Sequence, residues 1–193
     1  MFATAPNTFA AAVIPRTRSR VTMVIAVFGF ALLTGLSALW EIPLPFTPVP
    51  ITGQTFAVLL AGATLGLRAG AASQFLYLAM GIVGVPFFAG GASGWEVVTG
   101  PTVGYLIGFI AASAVVGRLA EHRRDRRVAS AIPAFLAGSA VIYLCGMAGL
   151  MAVAGMGATD AFALGVVPFL VGDGIKAVAA GLTLPAAWKL LGR

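Results

Sequence analysis

The sequence has few charged residues, and this scarcity decides the class of the protein. Of its 193 residues, 9% are charged and 60% are hydrophobic, whereas a soluble domain has about 25% charged residues. We therefore predict an all-α integral membrane protein that lies in the lipid bilayer as a single domain. The net charge of +6 does not indicate nucleic-acid binding, because the basic residues lie in short loops and tails.

Cysteine and histidine are each present only once, which argues against several kinds of site. Cys145 has no second cysteine with which to form a disulfide, and His122 lies in a run of arginines. A metal site is therefore not expected, and neither is a cofactor. The sequence also lacks a Gly-x-x-x-x-Gly-Lys phosphate loop, a Gly-x-Ser-x-Gly motif and a His-Glu-x-x-His motif. An enzyme with catalytic residues of its own is disfavoured.

Six apolar segments are predicted to be membrane-spanning helices, with lengths near, somewhat below or somewhat above the about 20 residues that span a bilayer; the second and third are short. They cover residues 21–40, 54–67, 70–86, 101–118, 128–155 and 165–190. The second and third segments are separated by a turn at 66–70. Residues 1–20 are predicted to be a disordered cytoplasmic tail, and residues 21–193 are predicted to be the six-helix membrane domain.

The distribution of basic residues predicts how these helices are oriented. With six crossings and a cytoplasmic N-terminus, eleven of the twelve Lys and Arg residues fall on the cytoplasmic side. These eleven are Arg16, Arg18, Arg20, Arg68, Arg118, Arg123, Arg124, Arg126, Arg127, Lys189 and Arg193. The opposite loops, 41–53, 87–100 and 156–164, contain no Lys or Arg. We therefore predict a multi-pass protein of the bacterial plasma membrane with both termini in the cytoplasm.

Two of the outward loops are apolar and rich in proline or glycine. The loop 41–53 has four prolines and cannot be regular helix. The loop 87–100 contains Phe87 and Trp95 among its glycines. We predict that both loops fold back over the bundle as a lid. Phe87 and Trp95 would belong to that lid, to an aromatic belt at the membrane interface, or to both.

Small residues recur every four positions in several segments, a spacing that lets helices approach closely in lipid. In the second and fourth segments, Gly62 and Gly104 are predicted to pack within the bundle. In the first segment, Ala31 and Gly35 are interpreted as a contact surface for another membrane subunit. The sequence alone also allows the alternative that these two residues pack within the bundle.

Lys176 is the one basic residue in the middle of an apolar segment, and Asp173 lies three residues before it. A charge inside a bilayer costs at least about 2.5 kcal/mol, so such residues are rare and are functional by default. The i, i+3 spacing places both side chains on one helical face. The alternative is an ion pair that only fixes the packing of the helix.

Polar residues at the outward ends of other helices are predicted to lie near the depth of this pair. They are Thr52, Gln54, Tyr77 and Tyr105. With the aromatic lid, these residues suit a small ligand that has an apolar body and a polar head able to donate and accept hydrogen bonds. A channel would carry polar residues along its full depth, whereas the inner half of this bundle is apolar.

Four motifs in the chain resemble one known family of membrane proteins. The motifs are VPITGQTFAVLLAGATLG (49–66), SQFLYLAMGIVGVPFFAGG (73–91), GPTVGYLIGF (100–109) and PFLVGDGIKA (168–177). They are similar to the BioY family, the substrate-binding S components of energy-coupling-factor (ECF) transporters for biotin. The resemblance covers most of residues 45–180, with the motifs in the expected order.

The resemblance implies a six-helix S-component bundle that binds biotin with high affinity near the outer face. It implies no hydrolysis by this chain, and partnership with a membrane scaffold (T) subunit and two cytosolic ATP-binding-cassette (ABC) ATPases. Asp173 would accept the ureido N–H groups of biotin. Lys176 would donate to the ureido carbonyl, or bind the valerate carboxylate instead. Phe87, Trp95 or Tyr105 would support the ring-sulfur side.

Two alternatives to a biotin S component remain open at the level of sequence. One is a stand-alone ion-coupled carrier or channel in which Asp173 and Lys176 relay charge. The other is an S component for a different vitamin.

Overall fold

The structure is a computed structural model that describes residues 8–13 and 19–191, and α-helix dominates it. Its helices are α1 (Phe9–Val13), α2 (Ser19–Ala38), α3 (Gln54–Leu65), α4 (Leu67–Ile82), α5 (Trp95–Val98), α6 (Val103–Glu121), α7 (Val128–Val153), α8 (Ala158–Gly165) and α9 (Leu170–Leu190). Two short strands, β1 (Glu41–Ile42) and β2 (Ile51–Thr52), pair antiparallel. The 3-10 turns Ala89–Gly91 and Val167–Phe169 complete the regular structure of the described residues.

Four stretches of the described chain are long and apolar enough to cross a membrane. They are Arg20–Ala38, Val103–Glu121, Val128–Val153 and Ala158–Leu190. Helix α3 is apolar but has only 12 residues, a length of about 18 Å against a hydrocarbon core of about 30 Å. The predicted all-helical membrane class is therefore confirmed at the coarse level, while the count of six crossings stays a prediction.

Each predicted apolar segment coincides with one of the longer helices, but the turn between the second and third is shorter than predicted. Helix α4 begins at Leu67, directly after Gly66. Gly66 has a φ of 86°, a left-handed conformation that glycine adopts without steric cost. The chain therefore reverses at one residue, and the predicted turn at 66–70 is wrong because 67–70 form the first turn of α4.

Helix α6 packs closely against its neighbours through glycines. A Cβ on Gly62 of α3 would collide with the backbone of Ser113, and one on Gly149 of α7 would lie 2.7 Å from the Cα of Gly104. On the other side, Gly117 meets the Gly66 backbone at the start of α4. The predicted packing of Gly62 and Gly104 within the bundle is confirmed.

The predicted partner surface on α2 is corrected by the structure. Ala31 has no exposed surface and belongs to the hydrophobic core. Gly35 is covered by the ring of Phe87, whose Cγ would lie 2.6 Å from a Cβ at this position. The small residues thus admit a loop of the same chain. The exposed side of α2 carries large apolar residues instead, among them Val21 and Ile25.

Part of the predicted disordered tail is helical in the structure. Residues 9–13 form α1, and the Phe9 ring lies edge-on to Trp188 near the end of α9, with 5.4 Å between ring centroids. Burial of Phe9 against an aromatic ring gives this stretch a reason to be ordered. Residues 1–7 and 14–18, including Arg16 and Arg18, and residues 192–193 lie outside the described residues.

Trp188 is also the centre of contacts that tie the end of α9 to the loop between α6 and α7. Its indole N–H donates to Asp125 Oδ2 at 2.5 Å, and the Arg126 guanidinium lies 4.2 Å from the ring centroid. Trp188 and Asp125 are 1% and 2% exposed. We call Phe9, Asp125, Arg126 and Trp188 the Trp188 cluster.

The proline-rich loop is irregular, as predicted, but the strand pair closes it at its base. β1 and β2 pair with Glu41 opposite Thr52, and Val49 inside the loop is buried in the hydrophobic core. The segment 156–164, which was predicted to be an outward loop, differs more, because most of it forms α8. The Thr47 hydroxyl donates to the carbonyl of Leu164 in α8 at 2.9 Å, which fastens the proline-rich loop over the bundle.

Candidate ligand-binding site

A cavity of about 510 Å³ lies at the end of the bundle opposite the Trp188 cluster. Its walls come from α3, α4, α6, α7 and α9, and the proline-rich loop and the segment before α6 cover it. A cavity of this size, with mostly apolar walls and a few polar groups, is typical of a small-molecule site.

Asp173 and Lys176 form an ion pair inside this cavity. Lys176 Nζ lies 2.7 Å from Asp173 Oδ1, and the two side chains are 22% and 7% exposed. Both lie in the first two turns of α9, where i, i+3 spacing brings them to one face. The predicted pairing of these residues on one helical face is confirmed.

All three hydrogens of the Lys176 ammonium have acceptors within the chain. Nζ donates to the backbone carbonyl of Thr52 at 2.7 Å, to Thr55 Oγ1 at 3.1 Å, and to Asp173 Oδ1 at 2.7 Å. Lys176 thereby connects α9 with the start of α3 and with the end of the loop that covers the cavity.

Asp173 receives further hydrogen bonds from two hydroxyls. Thr55 donates to Oδ1 at 2.8 Å, and Tyr143 on α7 donates to Oδ2 at 2.7 Å. Sequence reasoning missed Tyr143, because it collected polar residues only near the outward ends of helices. A signal was available, since Tyr143 is a phenol within a long apolar helix, and a buried tyrosine hydroxyl usually has a hydrogen-bond partner.

A second polar group lies on the α3 and α4 side of the cavity. Gln54 Nε2 donates to the hydroxyl of Tyr77 at 2.6 Å, and the Thr52 hydroxyl donates to Gln54 Oε1 at 3.1 Å. The Tyr77 ring is buried and packs edge-on against Phe88. Because these polar groups bond to one another, they form a wall of fixed shape.

Tyr105 joins the cavity to α8. Its hydroxyl donates to the carbonyl of Gly165 at 2.6 Å, and its ring packs against Gly146 of α7, where a Cβ would collide with it. Gly165 is the last residue of α8, so this bond occupies one of the carbonyls that a helix end leaves without an intrahelical partner.

The structure brings six of the eight predicted ligand-binding residues to the cavity. They are Thr52, Gln54, Tyr77, Tyr105, Asp173 and Lys176. The other two lie elsewhere: Phe87 packs on Gly35 of α2, and Trp95 is 67% exposed at the start of α5. Phe88, the residue after Phe87, lines the cavity instead.

The charged residues that line the cavity sum to a negative value. Among the described residues these are Glu41, Glu96, Asp173 and Lys176, three carboxylates and one ammonium, which gives −2. Asp173 and Lys176 neutralise each other, so the excess belongs to Glu41 and Glu96 on the covering segments. Within residues 8–13 and 19–191, no group of three or more His, Cys, Asp or Glu side chains is placed to hold a metal ion.

The site contains hydrogen-bonding groups and apolar walls, and these suit binding rather than chemistry on a ligand. The ion pair is satisfied by hydroxyls and a backbone carbonyl, and the only histidine, His122, lies at the other end of α6. Fold and site together define a helical membrane protein with a covered small-molecule cavity at one end.

The family of the chain follows from comparison with known proteins. The model of the BioY family matches residues 10–193, and the chain belongs to this family. The resemblance stated from the four motifs is thereby confirmed, as is the prediction that the chain is not an enzyme. The family and the apolar helices also confirm a multi-pass protein of the bacterial plasma membrane.

Two relatives and one solved structure illustrate the similarity. The biotin transporter BioY of Rhizobium etli is 37% identical over 167 residues, which are 83% of this chain and 89% of the relative. The biotin transporter BioY of Rhodobacter capsulatus is 40% identical over 162 residues, 79% and 85% of the two chains. A crystal structure of the S-component for biotin from an ECF-type ABC transporter has the same fold. It matches with a TM-score of 0.80 and 24% identity, over 92% of this chain and 95% of the other.

Proposed function

We propose that this chain is the biotin-binding S component of an ECF-type vitamin transporter, which captures biotin at the outer face of the membrane. The observation that carries the proposal is the covered cavity with its Asp173–Lys176 ion pair, in a chain whose relatives are named biotin transporters.

The chemistry of biotin suits this cavity. The ureido ring offers two N–H donors and one carbonyl acceptor, and the rest of the molecule is largely apolar apart from its carboxylate. We expect one ureido N–H group to bond to Asp173, and hydrogen bonds to a charged acceptor are strong. Lys176 would donate to the ureido carbonyl by exchanging its bond to Thr55, which is the longest of its three bonds. Tyr105 and Phe88 would contact the apolar rings.

The topology of the proposal has six crossings, with both termini in the cytoplasm. The basic residues between α6 and α7 then lie inside the cell, and the cavity opens outward. A membrane scaffold subunit and two cytosolic ABC ATPases would supply the energy for import. This division of labour agrees with the lack of a phosphate-binding loop in the sequence.

The test is calorimetric titration of the purified chain with biotin in detergent, after any ligand that co-purified has been removed. We expect saturable one-to-one binding with a sub-micromolar Kd. A well-folded sample that gives no heat and no protection from thermal unfolding would overturn biotin as the ligand. Binding of another vitamin in the same assay would indicate an S component of different specificity.

The Asp173–Lys176 ion pair also supports a second candidate, a carrier that couples to an ion gradient, because intramembrane ionisable residues serve such relays. The two candidates differ in their energy source. Reconstituted vesicles that hold this chain alone should show no uptake driven by a proton gradient. Uptake that responds to the gradient without any ATPase would favour the carrier.

A further inference from the structure

We propose that a groove between α4 and α6, at the end of the bundle that holds the Trp188 cluster, binds one anionic phospholipid. Arg118 would contact the lipid phosphate, and the apolar walls of the groove would cover part of an acyl chain. The groove shares no lining residue with the cavity of the candidate ligand-binding site. The inference therefore does not depend on which ligand that cavity binds.

The α4–α6 groove forms where the two helices meet. Its volume is about 280 Å³, and it is lined by Leu67, Ala114, Val115, Arg118 and Leu119. A Cβ on Gly117 of α6 would collide with the backbone of Gly66 and Leu67, so the start of α4 lies directly against α6. Leu67 then forms one wall, and the small side chain of Ala114 leaves space beside it. The apolar walls suit a hydrocarbon chain.

The order of polarity along the groove fits a phospholipid in one orientation. Arg118 is in the last turn of α6, and its side chain is 62% exposed. Ala114 lies on the same face of the helix, one turn or about 6 Å nearer the centre of the membrane. A phosphate beside Arg118 would lie at the membrane surface, and an acyl chain attached to it would follow Ala114 and Val115 inward.

Arg118 has hydrogen-bond donors to offer a phosphate. A guanidinium group has five N–H donors. In the part of the chain that the structure describes, that of Arg118 makes one hydrogen bond, from Nη1 to Glu121 Oε2 at 3.4 Å, which is longer than the usual distance of about 2.9 Å. Glu121 Oε1 accepts the backbone N–H of Leu67, so this carboxylate is directed toward the start of α4. The remaining donors of Arg118 match a phosphate, which guanidinium groups often bind through two parallel bonds.

The surface around the groove is basic. Residues 66–68 and 118–127 contain six arginines against Glu121 and Asp125, a net charge of +4. Arg68 and Arg124 are exposed. In the proposed topology this end faces the cytoplasm, where basic groups near the membrane attract anionic lipids. The orientation of the protein explains the charge by itself, but the apolar groove beside Arg118 gives one lipid a defined place.

The experiment is native mass spectrometry of the delipidated chain with an equimolar mixture of phosphatidylglycerol and phosphatidylcholine that carry the same acyl chains. The two lipids differ in the net charge of the headgroup. We expect the one-lipid adduct to favour phosphatidylglycerol. Arg118→Gln should reduce that preference about fivefold, the effect of one basic residue near an anionic lipid. Ala114→Leu, which fills the groove, should lower the one-lipid adducts of both lipids.

Two matched controls separate the groove from general effects of charge and bulk. Arg124→Gln removes an exposed arginine at the same end of the bundle that does not line the groove, and it should change the preference clearly less than Arg118→Gln. Gly29→Leu adds bulk to α2 where a Cβ meets nothing within 4 Å, and it should leave both adducts unchanged. Thermal unfolding of each variant checks that it is folded.

Three results would overturn the lipid site. They are equal adducts of the two lipids in the wild type, equal effects of Arg118→Gln and Arg124→Gln, and unchanged adducts in Ala114→Leu. The second result would assign the preference to the overall charge of this end of the bundle. A wild-type chain that fails to bind biotin would overturn the proposed function and leave this inference intact.

Discussion

Asp173 is a nearly buried carboxylate that three side chains of the protein stabilise. Replacing it by alanine leaves the Lys176 ammonium without its counter-charge, and removing one member of a buried pair is costly. We expect Asp173→Ala to weaken biotin binding at least 100-fold, about 3 kcal/mol, in calorimetric titrations. Asp160→Ala, at an exposed position of α8, should have almost no effect. Equal affinity of Asp173→Ala and wild type would remove Asp173 from the proposed site.

Asp125 is a buried carboxyl of the Trp188 cluster, and it gives a prediction about how the stability of the fold depends on pH. Burial raises the pKa of Asp125 above its ordinary value of 3.8, and the hydrogen bond from Trp188 opposes the rise only in part. The folded chain therefore keeps this proton to a higher pH than the unfolded chain does. The contribution of the carboxyl to stability is complete below pH 3.8 and is lost as the pH rises through the folded pKa.

Asp125→Asn tests this prediction, because the amide has no proton to lose in this range. The difference in thermal midpoint between wild type and variant, wild type minus variant, should fall as the pH rises from 3.8. It is measured in detergent at a series of pH values. A difference that stays constant or rises with pH would show that the buried carboxyl does not carry the effect.

At the scale of elements, the packing of α6 depends on positions where a side chain has no room. A Cβ on Gly104 would collide with the backbone of Cys145 in α7, whereas a Cβ on Gly29 in α2 would meet nothing within 4 Å. We expect Gly104→Ala to destabilise the fold by about 1–3 kcal/mol through overpacking. Gly29→Ala should be neutral or stabilising by up to about 1 kcal/mol. Thermal midpoints in detergent measure both, and similar midpoints for the two variants would contradict the packing argument.

The longer helices could be predicted from the sequence because an apolar run of sufficient length has few alternatives in a membrane. Helix α8 escaped prediction because it has only eight residues, and Thr159 and Asp160 interrupt the apolar pattern in its first turn. The strand pair β1–β2 escaped because two residues per strand carry no periodic signal. Its formation depends on the closure of the loop over the bundle.

The candidate site was predictable where a polar residue interrupts an apolar segment or begins one. Asp173, Lys176 and Gln54 have this signature. Phe87 was predicted to bind the ligand, but Phe88 lines the cavity instead. The side-chain direction of consecutive residues in an irregular segment is set by tertiary contacts. The small residues of α2 show the same limit. Their spacing predicts close packing, but it does not say whether the partner is another chain or, as at Gly35, a loop of the same chain.

At the scale of the whole molecule, the proposed orientation can be tested with single cysteines. The single cysteines are introduced in a Cys145→Ala background. Position 99 (Thr99→Cys) lies at the cavity end of the bundle, whereas positions 68 and 124 (Arg68→Cys and Arg124→Cys) lie at the opposite end. We expect a membrane-impermeant thiol reagent to label position 99 in intact cells, and positions 68 and 124 only after the cells are broken open. Labelling at position 68 from outside would contradict six crossings, because α3 would then not cross the membrane.

The uneven charge at the covered end has a consequence for how fast a ligand arrives. Glu41 and Glu96 line the cavity, and the loops 41–53, 87–100 and 156–164 contain no Lys or Arg to offset them. A ligand that carries a carboxylate, as biotin does, therefore approaches against like charge. Added salt screens such repulsion, because at 0.1 M ionic strength charges separated by more than the Debye length of about 10 Å hardly interact. The association rate of an anionic ligand with this chain should therefore increase with ionic strength, and the replacement of both glutamates by glutamine should abolish that dependence.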